Sequence, residues 1–348
     1  MIQTSRKVLL MYPVLLLLLA AGATGCSSLG FGKSEPQFGT NIQSAAGKFD
    51  DRASRSAPPD REIAEMTAPE HERRGDTARS RGEMANAYFQ YEKALEKDPG
   101  NHRIMHKQGV VLLAGGINDQ AAAAFRSLAE EAPEYAPAHE GLGLALFRQE
   151  SIDEAETAFR RAVDIDPDRW ESHTYLGIIH DTRNEHELAR KAYIQAIRTN
   201  PGNKTAAYNN LGVSYHRSGD YERAARVFQE AVNAGMASDR MYNNLGRALG
   251  MAGKYDQALA AFGKAGNRSQ AYNNLGCIYL ARGRYERAIE YFEKAISARP
   301  EYYTTAGENL RYARLAMENR FRPVQTGAGN EPGMEPGTQM DEPVIDAQ

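Results

Sequence analysis

The sequence predicts an all-α solenoid: about seven helix-turn-helix repeats and one C-terminal capping helix, flanked by ends that hold no core. Three residue columns predict it. Gly75, Gly109, Gly143, Gly177, Gly212, Gly246 and Gly276 recur at spacings of 34, 34, 34, 35, 34 and 30. Twelve residues after each stands an alanine: Ala87, Ala121, Ala155, Ala189, Ala224, Ala258 and Ala288. Four residues further stands an aromatic: Tyr91, Phe125, Phe159, Tyr193, Phe228, Phe262 and Phe292. A fixed period of this size marks stacked units that bury their apolar faces only against their neighbours.

The segments follow in order. In residues 1–25, Arg6 and Lys7 precede a mostly apolar run of fourteen residues, Val8 to Ala21. A membrane span needs about 20, whereas the hydrophobic core of a secretory signal is this short. No other segment is apolar enough to cross a bilayer. Residues 26–67 are rich in Ser, Ala, Gly and charge and read as a flexible tether. Residues 68–302 form the array, with units near 68–101, 102–135, 136–169, 170–204, 205–238, 239–268 and 269–302. Each first helix carries apolar residues at helical spacing, as in Tyr242, Leu245, Gly246 and Leu249. A turn follows, often with glycine (Gly116, Gly219, Gly253, Gly283). The second helix carries the alanine and the aromatic. Pro99, Pro133, Pro167, Pro201 and Pro300 close five of the seven units, because proline cannot continue a helix.

Two units depart from the pattern. In the first, Arg74 stands where a leucine is usual, so this unit reads as a degenerate cap or as a full repeat. The sixth is four residues short, so a kink or altered stacking is expected near Gly266–Ser269. Residues 303–321 read as the helix that covers the last repeat's open face. Residues 322–348 hold four prolines, four glycines and five acidic residues against one arginine, a composition that predicts disorder.

The 34-residue period with its small–aromatic–proline columns resembles the tetratricopeptide repeat family over residues 68–302. The resemblance implies a superhelical solenoid whose first helices line a concave, protein-binding groove. Ala23-Thr24-Gly25-Cys26 resembles the lipobox of bacterial lipoproteins, with alanine at 23 where leucine is usual. That resemblance implies cleavage before Cys26 and acylation of its new terminus. Ser27 then implies export to the outer membrane, with the protein facing the periplasm. Ala21-Gly22-Ala23 also fits an ordinary secretory cleavage site. The lipobox, the NNLG repeats and the shortened unit leading into NNLG together resemble the TadD lipoproteins of Tad/Flp pilus assembly. The implied role is assembly of the outer-membrane secretin and pilus export complex. A type IV pilus secretin pilot lipoprotein and a general envelope scaffold are the alternatives.

The motif YNNLG occurs at Tyr208–Gly212, Tyr242–Gly246 and Tyr272–Gly276, although asparagine costs a helix up to roughly 0.7 kcal/mol against alanine. At about 100° per residue the packing residues of the first helix cluster in one sector. The asparagines and flanking arginines fall opposite. The expected peptide-binding groove is therefore Asn209, Asn210, Arg240, Asn243, Asn244, Arg247, Asn273 and Asn274. An amide offers donors and an acceptor to a peptide backbone, and the arginines suit a carboxylate. The competing readings are bridging between adjacent first helices, and surface residues of duplicated repeats.

The net charge of −3 gives no reason to expect a nucleic-acid partner. Of eight histidines, His139 and His173 share the packing column of Tyr242. His173, His180 and Asp181 lie close together, but no second cluster completes a metal set. No cofactor, metal or catalytic residue is expected, and the protein is read as a binding module rather than an enzyme. With Cys26 acylated, Cys277 has no disulfide partner. Cys277 falls on the expected groove face and reads as a small tolerated residue rather than a reactive thiol. The expected partners are secretin or pilus assembly components and the membrane, with self-association as a further possibility.

Overall fold

The structure, a computed structural model, describes residues 66–298 and 304–320. The signal segment, Cys26, the tether up to residue 65 and the tail lie outside the described residues. Among the described residues there are fifteen α-helices and no strand. They pair as α1 (Ala68–Ser80) with α2 (Met84–Lys97), α3 (His102–Ala114) with α4 (Asn118–Glu131), and α5 (Ala136–Arg148) with α6 (Ile152–Ile165). Next come α7 (Trp170–Thr182) with α8 (His186–Thr199), and α9 (Thr205–Arg217) followed by α10 (Tyr221–Asn233). The last are α11 (Asp239–Met251) with α12 (Tyr255–Ala265), α13 (Arg268–Ala281) with α14 (Tyr285–Ser297), and α15 (Thr304–Arg320) alone. Odd numbers are the first helices of the repeats. The described residues fall into two compact units that divide between Gly219 and Asp220. The N-terminal unit holds α1–α9 and the C-terminal unit α10–α15.

Inside each hairpin one contact recurs. A Cβ added to Gly75 would sit 2.5 Å from the Tyr91 ring, at Gly143 2.7 Å from Phe159, at Gly177 2.4 Å from Tyr193 and at Gly276 2.6 Å from Phe292. Only glycine lets the first helix approach the ring of the second this closely, and these rings are almost wholly buried. The first unit makes the same contact. Its ring is fixed further by Tyr91 Oη donating to Asp76 at 2.7 Å, beside a buried bond between His71 and Gln90 at 2.9 Å.

The turn inside each hairpin requires a left-handed residue. Gly82, Gly116, Gly253 and Gly283 have φ of 78°, 74°, 83° and 66°. In the third and fourth repeats Glu150 and Asn184 take the same conformation at 63° and 61°, at a small steric cost that asparagine bears better than glutamate.

The short sixth repeat loses its residues from a helix end and a link. Helix α12 has 11 residues where α2, α4, α6 and α8 have 14. Only Gly266 and Asn267 separate it from α13. Asn267 accepts from Gln270 N at 2.9 Å while Gln270 Oε1 accepts from Asn267 N at 3.0 Å, a capping box that restarts the helix at once. Helix α15 packs Ala306 against Ala295 of α14 and buries Asn309 and Ala313.

Candidate functional site

Two positions on each first helix decide what the asparagines do: the second and the third residue before the glycine. In the second, third and fourth repeats the second is Lys107, Gly141 or Tyr175. Each meets the aromatic ring of the preceding repeat. Lys107 Nζ lies 6.0 Å from the Tyr91 centroid, a Cβ on Gly141 would sit 2.4 Å from Phe125, and Tyr175 stacks on Phe159 at 5.0 Å with planes 1° apart. This column therefore faces the repeat before. Asn210, Asn244 and Asn274 occupy it.

The third residue faces the first helix of the repeat after. Lys107 Nζ donates to Glu72 Oε1 at 2.7 Å, and Ser172 Oγ donates to Glu140 at 2.8 Å beside an Arg169–Glu140 ion pair. In the C-terminal unit Asn274 Nδ2 donates to Asn243 Oδ1 at 3.2 Å, and Asn309 Nδ2 donates to Asn273 Oδ1 at 2.9 Å. In both pairs the acceptor is the first asparagine of an NNLG motif and the donor is an asparagine followed by leucine on the next odd-numbered helix.

The expectation that all these amides stand clear of the packing is thus corrected. Asn273 is 0 % exposed, Asn210 2 %, and Asn209 and Asn244 8 % each. The period of a first helix marks only the sector that packs on its own second helix. Stacking of successive repeats buries the flanks of the first helix as well. Asn243 and Asn274 remain half-buried and Arg240 is exposed. Arg247 is half-buried, its guanidinium pushed down to about 10 by burial, with Cys277 acting the other way. It stays charged at neutral pH. Cys277 is itself buried, with Asn309 Nδ2 at 3.6 Å from its sulfur. The part of the expected site that solvent reaches is therefore Arg240, Asn243, Arg247 and Asn274, able to offer charge to a carboxylate and amides to a backbone.

Replacing Asn309 alone by leucine is expected to cost about 1–3 kcal/mol, because Asn273 would keep a buried, unpaired amide. Replacing both Asn273 and Asn309 by leucine is expected to recover most of that loss, as removing both partners does. Denaturant titration of the single and double variants checks this.

The sequence reading missed several polar groups. His139 and His173 each place Nε2 at 2.9 Å from the carbonyl of the proline six residues earlier, Pro133 and Pro167. Both rings therefore tie down the link between repeats rather than fill a core. Asp181 accepts from Ser214 Oγ at 2.8 Å, with a ring nitrogen of His186 at 2.8 Å and Tyr193 Oη at 3.3 Å. Serine and histidine both bond the carboxylate and not each other, so this network joins α7, α8 and α9. Burial and the neighbouring Glu140 push the Glu171 carboxyl up to about 7, and burial pushes His106 down to about 4. The signal for the interhelix column was present: its residues Glu72, His106, Glu140, Thr174, Asn209, Asn243 and Asn273 are polar in every repeat.

The profile described as the cilia and flagella-associated protein 70 C-terminal domain, a tetratricopeptide repeat profile, matches residues 41–271, and the tetratricopeptide repeat profile matches residues 269–302. The chain belongs to this tetratricopeptide repeat family. No curated protein matches it. Solved structures similar to this tetratricopeptide chain include MamA, at 26% identity and TM-score 0.42, over 48% of this chain and 90% of that one. A tetratricopeptide repeat protein from Parabacteroides merdae ATCC 43184 is 17% identical at TM-score 0.47, over 71% and 98%. The Pseudomonas aeruginosa protein pilF is 16% identical at TM-score 0.46, over 62% and 96%. Tetratricopeptide repeat proteins bind protein partners, and this fold supports an interaction adaptor.

Proposed function

We propose that the protein is a lipid-anchored adaptor of the cell envelope that captures peptide segments of its partners and performs no catalysis. Cys26 carries the acyl chains that fix it to the outer membrane, facing the periplasm. The tether gives reach, and the anchor raises the local concentration so that modest affinity is enough. One observation carries the binding role. On the first-helix face of the C-terminal unit, exposed Arg240 lies on the same helix as Asn243, whose half-buried amide pairs with that of Asn274. The proposed setting is assembly of a Tad/Flp-type pilus or secretin complex, supported by the lipobox-like Ala23–Cys26 and by the short repeat that leads into the third NNLG.

The test uses the full chain in its own cell. Arg240→Glu changes an exposed residue, so folding should survive. We expect the yield of detergent-resistant secretin multimers to fall about tenfold, the effect of about 1.4 kcal/mol lost in binding. Cys26→Ser should abolish palmitate labelling and release the protein from the membrane fraction. Undiminished multimers in the Arg240→Glu strain would reject the binding face. Retention of label in Cys26→Ser would reject the anchor.

A further inference from the structure

We propose that the acidic tail, residues 322–348, docks on the first-helix face of the C-terminal unit and competes there with protein partners. The proposal rests on the reading of that face as the binding surface, and gives it an internal regulator.

Charge is the first ground. The C-terminal unit, residues 220–320, carries 15 Lys and Arg against 11 Asp and Glu, net +4. The tail carries one arginine against Glu331, Glu335, Asp341, Glu342 and Asp346, net −4. The N-terminal unit, residues 66–219, carries 19 against 23, also net −4. Of the two units only the C-terminal one attracts the tail.

The second ground is which cations are available. Arg223, Arg287, Lys294 and Arg314 are held by Asp220, Glu290 and Glu293. Lys264 and Arg268 lie over the rings of Tyr242 and Tyr272. Arg226, Arg240, Lys254 and Arg311 are exposed and, among the described residues, pair with no carboxylate; of these Arg240 shares helix α11 with Asn243. The amides of Asn243 and Asn274 lie on the same face, half-buried, where an extended chain could meet them.

The third ground is the tail's chemistry and reach. Three of its five carboxylates precede a proline, at Glu331-Pro332, Glu335-Pro336 and Glu342-Pro343. The residue before a proline is steered to extended backbone, the form that leaves peptide groups free for an amide. The segment starts two residues after the end of α15, whose Asn309 donates to Asn273 of α13. Its 27 residues extend up to about 90 Å at roughly 3.3 Å each, and stacked helices lie only about 8–10 Å apart.

A fluorescein-labelled synthetic peptide of residues 328–346 is the probe. It is titrated against the full chain and against a full chain in which the five tail carboxylates are changed to their amides. A tethered tail acts at roughly millimolar effective concentration. The peptide should therefore bind the amide variant about tenfold more tightly than the native chain, and more weakly as salt rises. Arg240→Glu in the amide background should cost about tenfold. Equal affinity for the native and amide chains would overturn the proposal. So would binding indifferent to Arg240→Glu, which places the tail elsewhere, or competition that grows with protein concentration, which means a second copy's tail. A strain whose secretin assembly ignores Arg240→Glu while the peptide still follows these rules would reject the adaptor role and leave the tail contact standing.

Discussion

Truncating Phe159 to alanine is expected to lower the unfolding free energy by about 3–5 kcal/mol. The ring is fully buried, with Gly143 of its own hairpin on one side and Tyr175 of the next repeat stacked on the other at 5.0 Å. Two helix backbones and a second aromatic bound the space, so little can collapse into it. The lost stack adds about 0.5–1.5 kcal/mol to the cavity cost. Repeats contact only their neighbours, so the damage should be local. Helices α1–α5 and α7–α9 lose their common hinge, and urea unfolding of the N-terminal unit should broaden into two steps. Phe89, 37 % exposed, is the control; its alanine variant should stay within about 0.5 kcal/mol. A loss below 1 kcal/mol for Phe159→Ala would show that the interlocking ring is not what couples the repeats.

That ring also shows what sequence could and could not tell. The glycine, alanine and aromatic columns give the hairpins and their order, because each column is one contact repeated at a fixed period. Glycine is required where a Cβ would fall 2.4–2.7 Å from a ring, as at Gly177 and Gly143. Contacts between repeats are harder to read, because they are made by different residue types at one position. Lysine, glycine and tyrosine at the second position before the glycine share no property except the ring they lie against. The polar column one residue earlier is consistent in kind, but its partners sit some 30 residues away. Asn309 was not expected in this role, since the last helix carries Arg311 where a glycine would mark the alignment. Arg240 was placed from the helical period alone, and it is exposed.

The second large effect is on pH dependence. His106 lies on α3 with its ring 5.6 Å from Phe125 and 6.1 Å from Tyr135. Burial holds it down at about 4, against 6.5 in the unfolded chain; Glu140 on α5 pulls upward and Arg169 pushes down. The unfolded chain therefore takes up a proton that the folded chain refuses. Stability is intact above about pH 6.5 and is lost as pH falls toward 4, by about 3 kcal/mol. Glu171 works in the opposite sense. Its carboxyl, pushed up to about 7 by burial and Glu140, binds a proton more tightly folded than unfolded, so it adds stability as pH falls from 7 toward 4.5. Its contribution is the smaller, because water still reaches the group and screens it. Burial pushes the Asp76 and Glu156 carboxyls up, but hydrogen bonds from Lys107 and Tyr91 to the first, and from Arg183 and Arg160 to the second, outweigh it and hold both below their usual values. Urea titrations at steps between pH 7.5 and 4.5 should therefore show His106→Phe gaining stability toward acid relative to the native chain and Glu171→Gln losing it. Phenylalanine keeps the aromatic contacts and removes the proton site, so the change in slope reports titration and not packing. If His106→Phe leaves the slope unchanged, the acid sensitivity lies in groups outside this cluster.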